Sequence, residues 1–128
     1  MEPKNSPISK KILIVDDEEP IRMLYKSELE EEGYKIFLAA NAHQALEIVE
    51  KESLDLVVLD IKMPGMDGIE AMQKIVGKKK EVPIIINSAY PHFKESFMTW
   101  VADEYVVKSS NLQELKDKIK QILNKPPE

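Results

Sequence analysis

The segment Leu54–Asp60, which reads LDLVVLD, decides the fold of this chain. A short and almost continuous run of Leu and Val is typical of a strand that is covered on both faces, as in a parallel sheet. Four other short apolar segments share this character in varying degree. The five predicted strands are Lys11–Val15, Lys35–Ala39, Leu54–Leu59, Pro83–Asn87 and Glu104–Val107.

Helical periodicity fills the stretches between and after these strands. The five predicted helices are Glu19–Glu32, Ala42–Lys51, Gly68–Lys79, Pro91–Val101 and Leu112–Leu123. Gly33 is a suitable stop for the first helix, and Asn41 is a suitable N-cap for the second. Ser110 or Asn111 is expected to cap the last helix. The predicted apolar stripe of the first helix consists of Ile21, Leu24, Tyr25 and Leu29. The alternation of strand and helix predicts an α/β fold with a parallel sheet and helices on both faces.

Length and composition indicate one domain with an acidic surface. The chain has 128 residues and a net charge of −5, which argues against nonspecific nucleic-acid binding. The basic run Lys78–Lys80 is interpreted as a solvated helix end. The absence of cysteine excludes disulfides, zinc thiolates and thiol nucleophiles. We expect a flexible segment over residues 1–10, a domain over 11–124 and a short tail over 125–128.

No apolar run in the sequence approaches the roughly 20 residues that a membrane-spanning helix needs. The polar N-terminal segment Met1–Lys10 lacks the apolar stretch of a signal peptide. A cytoplasmic setting with no membrane contact is therefore the expected one.

Chemically active side chains follow four of the predicted strands. In parallel α/β folds, ligands bind outside the carboxyl ends of the strands. The residues delivered there are Asp16, Asp17 and Glu18 after the first strand, Asp60 after the third, Ser88 after the fourth and Lys108 after the fifth. Taken singly, such an aspartate could be a helix cap or a turn residue, and such a lysine could be solvated. Their convergence on one edge of one sheet predicts a functional site.

The chemistry of this edge favours a metal and a phosphoryl group. Carboxylates that lie close together repel one another, and a hard dication such as Mg²⁺ removes that cost. Asp16 and Asp17 can then hold the metal, while Asp60 acts as a nucleophile that forms an acyl phosphate. The Lys108 ammonium would neutralise charge, and the Ser88 hydroxyl would bind a phosphoryl oxygen.

Four strings carry a resemblance to a known family. They are Ile12–Glu18 (ILIVDDE), Asp55–Gly68 (DLVVLDIKMPGMDG), Ile84–Tyr90 (IIINSAY) and Ala102–Lys108 (ADEYVVK). The chain resembles the receiver domain of two-component response regulators over about Lys11 to Leu123, and within that family it is chemotaxis-regulator-like. The resemblance implies a flavodoxin-like, doubly wound fold with sheet order 2-1-3-4-5. It also implies phosphorelay signal transduction, in which Asp60 accepts a phosphoryl group from the phosphohistidine of a sensor kinase.

The resemblance further assigns roles within the site. Asp17, Asp60 and the backbone carbonyl of Lys62 would bind Mg²⁺ or Mn²⁺ directly, and Asp16 would act largely through water. Ser88 and Lys108 would bind the phosphoryl group, and Tyr105 would turn inward as the switch operates. The chain would catalyse only its own phosphorylation and dephosphorylation.

The resemblance also implies the partners. The switching surface is formed by the fourth and fifth predicted helices and the fifth strand. The expected partners are a sensor histidine kinase or phosphotransfer protein and a downstream protein target, without direct nucleic-acid contact. The chain would be a monomer or a phosphorylation-dependent dimer.

Three positions depart from the family pattern. Ser109 follows Lys108 where proline is usual, so we expect a trans peptide bond there, or a strained one. Trp100–Val101 replaces small residues and a helix-ending glycine, which predicts either an irregular end to the fourth helix or a shift in its register. Tyr90 and Lys62 occupy positions associated with the lifetime of the phosphoryl group.

Several alternatives stay open at this point. One is a phosphatase with an aspartyl-phosphate intermediate, although its paired aspartates would be two residues apart rather than adjacent. Another is a flavin-binding module, whose phosphate the acidic segment Asp16–Glu18 would repel. The remaining two are a receiver that docks without being phosphorylated and a receiver fragment of a longer DNA-binding regulator.

Overall fold

A computed structural model describes residues 9–60, 74, 77, 82–89 and 103–124. The elements in chain order are β1 Lys11–Val15, α1 Glu19–Glu31, β2 Lys35–Ala39, α2 Ala42–Lys51, β3 Leu56–Leu59, β4 Ile84–Ser88, β5 Glu104–Val107 and α3 Gln113–Leu123. The predicted first, second and fifth strands have the observed bounds. The third strand begins at Leu56 rather than Leu54, and the fourth runs from Ile84 to Ser88 rather than from Pro83 to Asn87.

Parts of the prediction lie outside the described residues. These are the helix Pro91–Val101 with Trp100, the Lys62 carbonyl, Tyr90, the basic run Lys78–Lys80, residues 1–8 of the N-terminal segment and the tail over 125–128. Of the predicted helix Gly68–Lys79, only Lys74 and Gly77 are described, and both are helical.

The five strands form one parallel sheet in the order β2-β1-β3-β4-β5. This order confirms the flavodoxin-like prediction. It places β1 and β3 side by side at the centre, in a register that pairs Val15 with Leu59. The residues that follow these two strands therefore emerge next to each other.

Alternate residues of each strand face opposite sides of the sheet, and each side has its own apolar cluster. On one side Leu13 and Val15 pack with α2 residues such as Ala45 and Val49. On the other side Ile12 and Ile14 pack with residues of α1 and α3. Burial on both faces explains why the central strands are almost continuously apolar.

Local signals define the helix ends. Gly33 has φ 100°, and the amides of Gly33 and Tyr34 donate to the carbonyls of Glu30 and Leu29, so α1 ends in a Schellman motif. The Asn41 side chain accepts from the Gln44 amide at 2.9 Å and caps α2, as predicted.

Two local predictions were wrong. The N-cap of α3 is Leu112, not Ser110 or Asn111. The Asn111 Oδ1 atom instead accepts from the Gln113 amide at 2.8 Å, in a turn that precedes the helix. Leu24 is 43% exposed, because it lies at the margin of the α1 stripe, whose buried residues are Tyr25 and Leu29.

Aspartates also lie at the amino edge of the sheet, opposite the predicted site. Asp55 Oδ2 accepts from the backbone amide of Lys11 at 2.8 Å. Asp103 Oδ2 accepts from the backbone amide of Ile84 at 2.9 Å. Each carboxylate satisfies an amide at the start of a neighbouring strand, so both have a structural role.

Among the residues described, no helix has the length and apolar character needed to cross a bilayer.

Candidate functional site

Backbone pairing continues past the strand ends and brings the predicted residues to one edge. The Asp60 amide donates to the Val15 carbonyl at 2.9 Å, and the Lys108 amide donates to the Ser88 carbonyl at 2.7 Å. The Asp16 amide donates to the Ala39 carbonyl at 3.1 Å. The side chains that follow β1, β3 and β5 and the last side chain of β4 are thus held at one end of the sheet by a rigid backbone.

Three carboxylates meet at this edge. Asp16, Asp17 and Asp60 each offer an oxygen, and these atoms lie within 4.8 Å of one another. Asp16 and Asp60 are buried, whereas Asp17 is exposed. The cluster therefore combines two carboxylates that are shielded from water with one that is open to it.

Lys108 offsets part of the negative charge of the two buried carboxylates. Its Nζ atom lies 2.8 Å from Asp16 Oδ2 and 3.1 Å from Asp60 Oδ2. Burial alone would lower the pKa of Lys108, but the hydrogen bonds and charges of Asp16 and Asp60 outweigh it and raise the pKa above its usual value. Lys108 is therefore a permanent cation at this edge.

Ser109 does not disturb the reach of Lys108. The described residues contain no cis peptide bond, so the Lys108–Ser109 bond is trans, which is one of the two expected outcomes. The Ser109 Oγ atom accepts from the Asn111 amide at 3.1 Å, in a turn that leads toward α3. The Lys108 ammonium still contacts both Asp16 and Asp60.

Both carboxylate oxygens and the backbone carbonyl of Asp16 have partners in the protein. Its Oδ1 atom accepts from the Glu18 amide at 2.9 Å, and its Oδ2 atom contacts Lys108. Its backbone carbonyl accepts from Arg22 Nη1 at 2.8 Å. Arg22 was not among the predicted site residues, and its position early in α1, shortly after Asp16, was the available signal for this contact.

Ser88 and Tyr105 form a buried pair on one face of the sheet. Ser88 is fully buried, and Tyr105 is 2% exposed. Burial raises the pKa of Tyr105, and a hydrogen bond with Ser88 opposes this shift in part. Tyr105 is thus packed inward against the hydroxyl of Ser88, next to the carboxylate edge.

Asn87 and Tyr25 form a second buried polar pair, on the opposite face. The Tyr25 hydroxyl donates to Asn87 Oδ1 at 2.6 Å, and Asn87 Nδ2 donates to the Val106 carbonyl at 3.0 Å. Burial raises the pKa of Tyr25 to about 12. The sequence pattern predicts Tyr25 only as part of an apolar stripe and Asn87 only as a strand residue, and it does not indicate this pair.

The donor set at the edge suits a hard cation. All three clustered side chains offer carboxylate oxygens, which are the ligands that Mg²⁺ takes in proteins. Asp17 is exposed, so it can bind a metal that keeps several of its waters. Asp16 is already held by Glu18 and Lys108, which fits an indirect role through water.

A parallel sheet of order 2-1-3-4-5, with clustered carboxylates and a lysine at its carboxyl edge, defines a receiver-type α/β domain. Residues 12–120 match the family of the response regulator receiver domain, and the chain belongs to that family. The resemblance inferred from the sequence is thereby confirmed. The match favours the receiver over the phosphatase and the flavin module.

Individual relatives support the same conclusion. The chain is 40% identical over 118 residues to sporulation initiation phosphotransferase F of Bacillus subtilis (strain 168), covering 91% of this chain and 95% of that protein. It is similar to the response regulator TrrA of Thermotoga maritima in complex with Mg²⁺-BeF, with 51% identity, a TM-score of 0.84 and coverage of 89% and 99%. It is also similar to a chain in the structure of the histidine kinase ThkA in complex with the response regulator TrrA. That match has 50% identity and a TM-score of 0.83, and it covers 90% of this chain and 99% of the matched chain.

Proposed function

We propose that this chain accepts a phosphoryl group on Asp60 and uses it as a signal. The observation that carries the proposal is the placement of the buried Asp60 carboxylate beside Lys108 and within the acidic cluster of Asp16 and Asp17. A nucleophilic carboxylate next to a fixed ammonium and further oxygen ligands has what phosphoryl transfer requires, which is positioning and charge neutralisation.

The donor of the phosphoryl group is proposed to be a phosphohistidine on a sensor kinase or phosphotransfer protein. An Asp60 carboxylate oxygen forms a bond to phosphorus while the bond from phosphorus to the imidazole nitrogen breaks. The electron pair of that bond stays on the imidazole, which takes up a proton. The complex of TrrA with the kinase ThkA and the phosphotransferase name of the Bacillus subtilis relative support such a partner.

The metal in this proposal is Mg²⁺, and Mn²⁺ has the same oxygen preference. When bound, it would supply positive charge for the phosphoryl oxygens and for the carboxylates. Asp17 and Asp60 would hold it directly, with the carbonyl of Lys62, and Asp16 would contribute through water. The complex of TrrA with Mg²⁺-BeF supports this choice.

The remaining side chains of the site are proposed to act on the phosphoryl oxygens. Lys108 keeps its charge at neutral pH, because the carboxylates of Asp16 and Asp60 stabilise its ammonium and outweigh the effect of burial on its pKa. The Ser88 hydroxyl lies at the same edge and pairs with Tyr105. A shift of Ser88 toward the phosphoryl group would change that pairing, and Tyr105 would carry the change to the surface around β5.

We propose that the output is a protein contact in the cytoplasm. The chain would act as a monomer or as a phosphorylation-dependent dimer, with residues 11–124 as the receiver, a flexible segment over 1–10 and a short tail over 125–128. Its reactions would be limited to its own phosphorylation and dephosphorylation. The net charge of −5 supports a protein partner rather than nucleic acid.

Intact-protein mass spectrometry after incubation with acetyl phosphate and Mg²⁺ tests this proposal. The wild-type protein should gain the mass of one acid-labile phosphoryl group, and Asp60→Asn should gain none. Asp117→Asn is the matched control, because Asp117 lies on α3 and pairs with Gln113 in solvent. Equal labelling of wild type and Asp60→Asn would refute Asp60 as the acceptor. A wild-type protein that stays unlabelled would instead favour the docking receiver.

A further inference from the structure

The buried pair of Tyr25 and Asn87 lies directly beside the proposed phosphoryl site. Strand β4 is buried over its whole length, and a buried amide is costly unless its donor and its acceptor are both paired. Tyr25 satisfies Asn87 Oδ1, and the Val106 carbonyl satisfies Asn87 Nδ2. The Asn87 side chain therefore joins α1, β4 and β5 at one point.

This junction precedes the residues proposed to bind the phosphoryl group. Asn87 is followed by Ser88, which points to the opposite face of the sheet. Asn87 pairs in register with Val106, and the Ser88 carbonyl accepts from the Lys108 amide at 2.7 Å. A displacement of Asn87 relative to α1 would move Ser88 and the backbone of Lys108 together.

Helix α1 also contacts the acidic half of the site. Arg22 donates to the backbone carbonyl of Asp16, one turn before Tyr25 donates to Asn87. The two residues lie on one rigid helix, so their contacts fix the separation between the carboxylates and the end of β4. The charges of Lys108, Asp16 and Asp60 all influence the pKa of Tyr25, which places its hydroxyl within electrostatic reach of the site.

We infer that Tyr25 and Asn87 are positioning residues, which hold Ser88 and Lys108 at the distance from Asp60 that a phosphoryl group requires. This inference rests on the proposed function. It separates two halves of the site: Arg22 and the β1–β3 pairing position the metal ligands, whereas Tyr25 and Asn87 position the groups that bind the phosphoryl oxygens. Loss of the Tyr25 hydroxyl should therefore weaken binding of the phosphoryl group and leave metal binding unchanged.

Calorimetric titration tests this separation with Mg²⁺ alone and with beryllofluoride at saturating Mg²⁺. For Tyr25→Phe, the Kd for Mg²⁺ should stay within about twofold of wild type, and the Kd for beryllofluoride should rise at least about fivefold, because Ser88 and Lys108 would no longer be held in place. Tyr34→Phe is the matched control, because Tyr34 packs on the same cluster near the opposite end of the sheet. It should leave both constants unchanged.

A double variant, Tyr25→Phe with Asn87→Leu, separates positioning from stability. Asn87→Leu removes the acceptor that Tyr25→Phe leaves unpaired, which should restore part of the lost stability, although the Val106 carbonyl then loses its Asn87 donor. We expect resistance to urea to return toward wild type while the affinity for beryllofluoride stays reduced. If the affinity recovers together with stability, or if Tyr25→Phe changes the two Kd values equally or not at all, the positioning role is refuted. Absence of wild-type beryllofluoride binding would refute the proposed function itself.

Discussion

Replacing Lys108 with methionine should destabilise the protein and make its stability depend on a divalent metal. Methionine keeps much of the apolar stem but removes the ammonium that lies between Asp16 and Asp60. Both carboxylates are almost fully buried, so in the variant two like charges would face each other without a counter-charge. The folded state should therefore lose free energy at neutral pH.

The size of this loss in the free energy of unfolding depends on how deeply the ion pair is buried. Removing one partner of a fully buried ion pair costs about 3–5 kcal/mol. The Lys108 side chain is 18% exposed, so some solvent already screens the pair. We expect the free energy of unfolding to fall by about 2–3 kcal/mol in the absence of metal. Added Mg²⁺ should restore more stability to Lys108→Met than it adds to wild type, because the metal would replace the missing positive charge.

Urea unfolding with and without Mg²⁺ measures both effects, and Lys116→Met provides the control. Lys116 is as exposed as Lys108, and its Nζ atom lies 2.7 Å from Glu28, but the Glu28 side chain is 38% exposed, whereas those of Asp16 and Asp60 are 2% and 7% exposed. The loss at Lys116 should be clearly smaller, because solvent screens that pair. Equal stability of Lys108→Met and wild type without metal would refute the reasoning. An equal gain of both proteins from Mg²⁺ would also contradict it.

The pH dependence of this contribution has a definite sign. Burial lowers the pKa of Lys108, but Asp16 and Asp60 raise it above its ordinary 10.5 in the folded state. The contribution is therefore fully present below pH 10.5 and is lost as the pH rises through the higher folded-state pKa. The stability difference between wild type and Lys108→Met should be constant between about pH 7 and 9. A steady decline over that range would contradict the assignment.

Three further predictions concern the scaffold. Tyr25 should ionise near pH 12 rather than 10, so Tyr25→Phe should remove a late step from the tyrosinate absorbance titration. The unfolded tyrosine ionises first, so the free energy of unfolding of the wild-type protein should fall between these two pH values. Gly33→Ala should cost about 1 kcal/mol in urea unfolding, since φ is 100° at this position, and an unchanged midpoint would contradict the strained backbone. Asn41→Ala should also cost about 1 kcal/mol through loss of the α2 cap, while Asn41→Asp should retain most of the stability.

The arrangement of strands could be predicted because it depends on short-range signals. Short apolar runs separated by helical periodicity allow few arrangements other than a parallel sheet. Once the sheet was predicted, the residues after its strands had to lie at one edge, and the structure brings Asp16, Asp60 and Lys108 into contact there. The roles of these residues in phosphoryl transfer stay predictions.

The misses have a physical pattern. The Tyr25–Asn87 hydrogen bond joins residues 62 positions apart, and nothing in either local sequence specifies the other partner. Leu24 was assigned to the apolar stripe of α1, but it is 43% exposed, because helical periodicity identifies the centre of such a stripe better than its margins. The start of α3 was misplaced because Asn111 can pair with the backbone either as an N-cap or in a turn one residue earlier.

The direction of the parallel strands determines which groups an aspartate can bind at each edge of the sheet. At the amino edge, a parallel sheet presents amide hydrogens, and the carboxylates of Asp55 and Asp103 accept hydrogen bonds from them. At the carboxyl edge the backbone presents mainly carbonyl oxygens, which cannot satisfy a carboxylate, so Asp60 turns to the Lys108 ammonium. The structural role of Asp55 and Asp103 at one edge and the proposed reactivity of Asp60 at the other both agree with this polarity of the strands. We expect a new aspartate introduced at the amino edge to form another hydrogen bond between neighbouring strands rather than a reactive group.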